Sequence, residues 1–138
     1  MSQTNELEIM ERIALDLEGV EESLASSFNT GAEDFNALIR PLSAAGGKRL
    51  RAQLCLLIAN AGTSVERQRI RIAEAVEMLH LATLIHDDVL DQAEIRRGEE
   101  TIHMHKGNKV AILSGDYLFA KAFQIVSEMP NMKYLQIF

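Results

Sequence analysis

Three carboxylates crowd into the stretch Leu84-Ile85-His86-Asp87-Asp88-Val89-Leu90-Asp91. On a helix, Asp87 and Asp91 stand one turn apart, about 6 Å along the axis and about 40° around it. Two carboxylates so placed can share a hard divalent cation, and Mg²⁺ typically takes one or two carboxylates plus phosphate oxygens. The plainer reading is a solvated acidic face, the usual fate of surface carboxylates. Two features weigh against it. Like charges four residues apart cost a helix roughly a few tenths of a kcal/mol, and a helix ending here puts them at the negative end of its dipole. Ala82, Leu84, Ile85, Val89 and Leu90 interleave with the acids, which therefore emerge from an otherwise apolar helix. A bound cation would offset the cost of that arrangement.

Positive charge gathers in three places. The run Gly46-Gly47-Lys48-Arg49-Leu50-Arg51 opens a helix with glycines that permit close backbone approach. Its free N–H groups at a positive dipole end make an anion site. Lys48 and Arg51 share a face, from which Arg49 points away. Arg96-Arg97-Gly98 follows the acidic stretch, and arginine forks grip diphosphate oxygens bidentately. Arg67, Arg69 and Arg71 have neither a glycine nor a neighbouring acidic motif and read as a solvated face. His80 lies two turns before Asp87 and near the same face; by itself it reads as a helix histidine with its hydrogen bonds met. His103-Met104-His105 has no third ligand at metal-site spacing and carries no metal reading.

The elements that must hold these groups are helical. Leu7, Ile9, Met10, Ile13, Ala14, Leu17, Val20 and Leu24 are spaced by threes and fours, which predicts a first helix. The run from Ser26 to Gly31 stops it. A shorter helix covers residue 34 to about 42, where Pro41 threatens its end. Residues 48–61 read as a helix ended by Gly62. Thr63 or Ser64 can cap a long helix over 65–91, which holds no glycine or proline. Residues 96–107 read as a loop, and Asn108 can cap a last helix that runs to about Met129, before Pro130. No repeat and no alternating strand pattern interrupts this series.

Composition agrees. Aromatics make up 5%, Trp is absent and proline occurs twice in 138 residues, which favours helices over a sheet. Hydrophobic residues at 47% and charged residues at 25% describe one ordinary globular domain. With a net charge of −6 no nucleic-acid footprint is expected overall, so any bound anion depends on the local basic clusters. Cys55, alone in the chain, sits in an apolar run and reads as a small buried hydrophobe of a reducing cytosol. The N-terminus lacks a secretion signal, and no apolar stretch approaches the ~20 residues that span a bilayer. A cytoplasmic protein is expected.

In this order and spacing, Gly-Gly-Lys-Arg-Leu-Arg, Glu77-Met78-Leu79-His80, Asp-Asp-Val-Leu-Asp and Arg-Arg-Gly together resemble the all-trans polyprenyl diphosphate synthase family. Residues 111–119 are similar to that family's next helix, and the resemblance covers roughly 39–125. It implies an all-α, antiparallel helical bundle of the isoprenoid synthase type, with residues 1–138 as its truncated, N-terminal portion. It implies a Mg²⁺-dependent prenyltransferase that condenses isopentenyl diphosphate with an allylic diphosphate. By matching position, Asp87 and Asp91, with Asp88 supporting, hold Mg²⁺ on the allylic diphosphate, which Arg96 also binds. Lys48, Arg51, His80 and Arg97 match the isopentenyl diphosphate ligands. Ala82 and Thr83 stand where a bulky aromatic limits short-chain members, which implies a medium or long product. Ala52 and Glu100 depart from the family's prolines, a change of backbone stiffness more than of charge. In such chemistry Mg²⁺ and Arg96 neutralise the departing diphosphate so that the allylic C–O bond ionises. The isopentenyl double bond then attacks, a proton leaves to the departing diphosphate, and apolar walls keep water from the cation.

Two other functions compete. A non-catalytic helical partner, regulatory or structural, would bind prenyl diphosphate or another subunit; the intact ligand set argues against it. A His-Asp phosphohydrolase, prompted by His86-Asp87, would need upstream histidines beyond His80. The family carries a second aspartate-rich motif, and no second Asp-Asp-x-x-Asp occurs here. The 138 residues alone are therefore expected not to turn over, and to form a homo-oligomer or to pair with a chain that supplies further helices.

Overall fold

The computed structural model describes residues 3–44, 47–62 and 65–138. Its long elements are all helices: α1 (Gln3–Ser27), α2 (Glu33–Ala44), α3 (Leu50–Asn60), α4 (Glu66–Leu90) and α6 (Asn108–Ser127). Two short helices, α5 (Ile102–Lys106) and α7 (Lys133–Ile137), flank α6. The predicted periodicities thus give an all-α fold of the expected kind. The expected Gly46 break and the Thr63 or Ser64 cap lie outside the described residues.

Three boundaries differ from the sequence reading. Pro41 lies inside α2, which continues to Ala44; a proline removes one backbone donor, and the rest of the helix persists around it. The expected loop contains α5 and a small antiparallel hairpin, β1 (Ile95–Arg96) with β2 (Glu99–Glu100), in register Ile95↔Glu100 and Arg96↔Glu99. Its two turn residues both have positive φ, Arg97 at 52° and Gly98 at 86°, the geometry that matches strand twist in two-residue hairpins. Asn108 is the first residue of α6, with Gly107 (φ 87°) as its cap and no side-chain cap bond.

α4 is the central element and packs against α1, α3 and α6. Val20, Leu24, Leu56, Met78, Leu118 and Ile125 are fully or almost fully buried around it. Buried polar ties accompany this packing. Glu74 is wholly buried and accepts the Ser23 and Ser27 hydroxyls at 2.6 Å each. Arg69 pairs with Asp16 at 3.0 Å, and Arg71 donates to Glu74 at 2.7 Å and to Glu128 at 3.2 Å. Of the basic face expected at Arg67, Arg69 and Arg71, only Arg67 is solvated. A central helix has neighbours on most sides, so arginines two residues apart meet partners on α1, on α4 itself and at the C-cap of α6.

The chain does hold an apolar stretch of bilayer-spanning length, contrary to the sequence reading. α6, with 20 residues, is long and apolar enough by length and composition to cross a membrane. It packs along α4 and buries Ala111, Leu118, Ala122, Ile125 and Val126, as a core helix does.

Candidate functional site

The acidic motif lies at the C-terminal end of α4, with Asp91 as the cap. Asp87 and Asp91 are exposed, and the Asp91 N–H donates to the Asp87 carbonyl at 2.8 Å, closing the last turn. Asp88 is different: it is buried, and Arg96 Nε and Nη2 both lie 2.7 Å from its Oδ1. That bond, partly opposed by desolvation, raises the Arg96 guanidinium above its ordinary pKa. The loop after α4 is stitched down as well. The Ala93 carbonyl is 2.7 Å from both Thr101 Oγ1 and His103 Nε2, and the Ala93 N–H donates to the Asp88 carbonyl at 2.9 Å. His103 is thus a loop anchor.

Two exposed carboxylates one turn apart fit a hexacoordinate Mg²⁺ whose other positions go to phosphate oxygens and water. Among the described residues no group of three His, Cys, Asp or Glu could hold a metal on protein ligands alone. The donor set therefore suits a cation that arrives with a phosphorylated ligand.

The basic clusters converge beside this end. A cavity of about 170 Å³ is lined by Lys48, Arg51, Glu77, His80, Leu84 and Arg97. The hairpin turn carries Arg97 to the start of α3, so that a Cβ at Gly47 would lie 3.8 Å from Arg97 Nη2. Burial, and then the Arg51 charge, hold the His80 imidazole below its ordinary pKa of 6.5; Arg97 and Arg96 push the same way and Glu77 opposes them. Arg49, the left-handed residue before α3, lines the same cavity, contrary to the expectation that it points away from Lys48 and Arg51. Its guanidinium reaches Glu21 at 2.5 and 3.1 Å, the Ser43 carbonyl at 2.7 Å and Glu77 at 3.5 Å.

Glu77 changes the picture of α3 as an anion site. Its Oε1 accepts the Ala52 N–H at 3.0 Å, so one of the orphan donors at the helix start is already satisfied. Side chains, more than the helix terminus, make this pocket basic.

A second cavity of about 610 Å³ lies between α2, α4, the hairpin and α5. Leu42, Leu81, Leu84 and Arg97 line both cavities, so the two adjoin. The larger one has walls from Leu38 and Ile85 and a rim that includes Asp88 and Arg96. Ala82 is fully buried and lines neither cavity, while the Thr83 hydroxyl donates to the His80 carbonyl at 2.7 Å.

Sequence reasoning missed Glu77 as a partner of Arg49 and Asp88 as the anchor of Arg96. Both are carboxylates on the inward side of a mostly apolar helix, a signal present in the sequence but ambiguous until the partners are located. It weighed His86 only as half of a His-Asp pair and missed its packing role: the ring sits 3.1 Å from the Ile112 carbonyl across the α4–α6 interface.

A family model described as polyprenyl synthetase matches residues 32–138. The chain is 33% identical over 129 residues to the octaprenyl diphosphate synthase of Escherichia coli, covering 94% of this chain and 40% of that protein. It is 38% identical over 123 residues to heptaprenyl diphosphate synthase component 2 of Geobacillus stearothermophilus, covering 88% and 38% respectively. The structure is similar, with a TM-score of 0.85 and 37% identity, to a polyprenyl synthase from Caulobacter crescentus complexed with calcium and isoprenyl diphosphate, covering 92% of this chain and 40% of that one. The chain spans about two fifths of the length of these relatives.

Proposed function

Because the chain belongs to the polyprenyl synthetase family, we propose that it forms the N-terminal, diphosphate-binding portion of a prenyltransferase that joins isopentenyl diphosphate to an allylic diphosphate. The observation that carries this reading is the convergence at the end of α4. Asp87 and Asp91 are exposed on one side, Arg96 is held by Asp88 at 2.7 Å, and Arg97 is carried to Gly47 beside Lys48.

In this reading Asp87 and Asp91 hold Mg²⁺ against the allylic diphosphate. Bound there, Mg²⁺ supplies charge neutralisation of the leaving group. Arg96, fixed by Asp88, adds a preorganised donor to the same oxygens. Lys48, Arg51, His80 and Arg97 receive the second diphosphate in the smaller cavity. The apolar walls of the adjoining cavity keep water from the reacting carbons. A medium or long product is proposed from the small side chains of Ala82 and Thr83 before the acidic motif, although both stand outside the lining of the two cavities.

The proposed setting is the cytoplasm. The proposed assembly is a homo-oligomer or a pair with a chain that supplies further helices. Support comes from an uncovered apolar face on α3, where Leu50, Leu54, Leu57 and Ile58 are each at least 48% exposed.

Calorimetry with farnesyl diphosphate as the allylic probe tests the site. Binding should require Mg²⁺, and Asp87→Asn or Asp91→Asn should weaken it by about tenfold or more, the scale of one lost charge-assisted interaction. Equal affinity in a chelator, or in both variants, overturns the assignment.

A further inference from the structure

His86 and Gly115 have no part in the reading above. The His86 side chain is 27% exposed, and its ring enters the face of α6. Nε2 lies 3.1 Å from the Ile112 carbonyl oxygen and 3.4 Å from Asp116 Oδ1. The ring also lies against Phe119, with centroids 5.5 Å apart and planes tilted by 36°. Because a carbonyl only accepts, this geometry puts a proton on Nε2.

The ring can come this close only because Gly115 has no side chain. A Cβ there would collide with Nε2 and Cδ2 of His86. The backbone of Gly115 does not require glycine, since its φ is not among the positive values in the chain. Alanine in mid-helix would favour α6 by about 1 kcal/mol. The helix forgoes that, and what occupies the space is the His86 ring.

Asp87 is the next residue and Asp91 caps the same turn. Helix ends fray, and two like charges four apart push this one open. Arg96 ties the turn down on the Asp88 side, and His86 is its tie to α6. Successive helix residues are rotated by about 100°, so pinning His86 to α6 sets the direction in which Asp87 and Asp91 leave α4. We infer that His86, seated in the Gly115 notch, is a positioning residue that holds the last turn of α4 so that Asp87 and Asp91 converge on one cation. This rests on the cation reading given under the proposed function.

Mn²⁺ with inorganic diphosphate, followed by electron paramagnetic resonance on the 138-residue chain, tests it. His86→Ala and Gly115→Ala should each weaken the bound Mn²⁺ signal by about tenfold or more, the range for groups that orient metal ligands. His86→Gln, whose amide can donate to the same carbonyl, should keep most of the affinity. Gly115→Ala placed in the His86→Ala background should cost nothing more, because there is no ring left to displace. Should His86→Ala lose helical circular dichroism, His86→Phe, which fills the notch without a donor, takes its place against His86→Gln. Equal binding by the donor and non-donor variants, or losses that add in the double variant, overturns the inference while the cation reading stands. An unaltered chain that holds Mn²⁺–diphosphate no better than Asp87→Asn overturns the cation reading, and this inference with it.

Discussion

At the residue scale, identical side chains four or fewer positions apart have taken different roles through burial alone. Asp87 and Asp91 face solvent, whereas Asp88 is 4% exposed and spends its charge on Arg96. His80 shows the same principle in its titration. Its pKa lies below 6.5 because burial, Arg51 and Arg97 disfavour the imidazolium. For the free chain, the folded state therefore binds fewer protons, so His80's contribution to stability is complete above 6.5 and is lost as pH falls through the lowered value. A diphosphate in the same cavity reverses the electrostatics, since its charge neutralises the arginines and favours the imidazolium. Binding should take up protons and strengthen on acidification below neutrality. Calorimetry in two buffers of different ionisation enthalpy measures that uptake, and His80→Asn should abolish it. An uptake of zero in the unaltered chain would remove His80 from the site.

At the scale of elements, α4 carries the fold and the site together, with its N-terminal part tied to α1 and its C-terminal turn bearing the acids. Arg69 and Asp16 make the clearest tie, with side chains 9% and 4% exposed. Removing one partner of a buried ion pair leaves an uncompensated charge, at a cost of about 3–5 kcal/mol. Arg69→Ala should therefore lower the urea midpoint steeply. Arg67→Ala, two residues away and exposed, should change stability by no more than about 0.5 kcal/mol. Similar midpoints for the two variants would mean that the Arg69–Asp16 pair does not hold α1 on α4.

The whole molecule is unevenly covered. Its core is closed around α4, yet Leu54, Leu57 and Ile58 on α3 and Ile112, Leu113 and Phe123 on α6 are large apolar side chains left in water. Monomeric proteins rarely expose contiguous apolar patches beyond a few hundred Å². The isolated 138 residues should therefore associate, and static light scattering should give a mass above that of one 15.4 kDa chain. Leu54→Lys with Leu57→Lys should shift the mass downward. A monodisperse monomer before substitution would show that these faces do not drive association. Whatever its mass, the chain on its own should give no elongated product in a radiolabelled condensation assay, since it contains one Asp-Asp-x-x-Asp motif.

The sequence by itself determined the helical class, most helix positions and the residues at which charge concentrates. These depend on local spacing: apolar residues at threes and fours for the helices, and the distance of four between Asp87 and Asp91 for a shared face. Tertiary structure alone decided which charges are available. Nothing local tells Asp88 from Asp87, or Arg69 from Arg67, until a hairpin or a neighbouring helix arrives to bury one of each pair. The turn at Arg97-Gly98 was legible only as a break, although its positive φ values bring two basic clusters to one cavity. The notch at Gly115 could not be read at all. A mid-helix glycine acquires meaning only from the ring packed against it, and that ring belongs to a residue twenty-nine positions earlier on another helix.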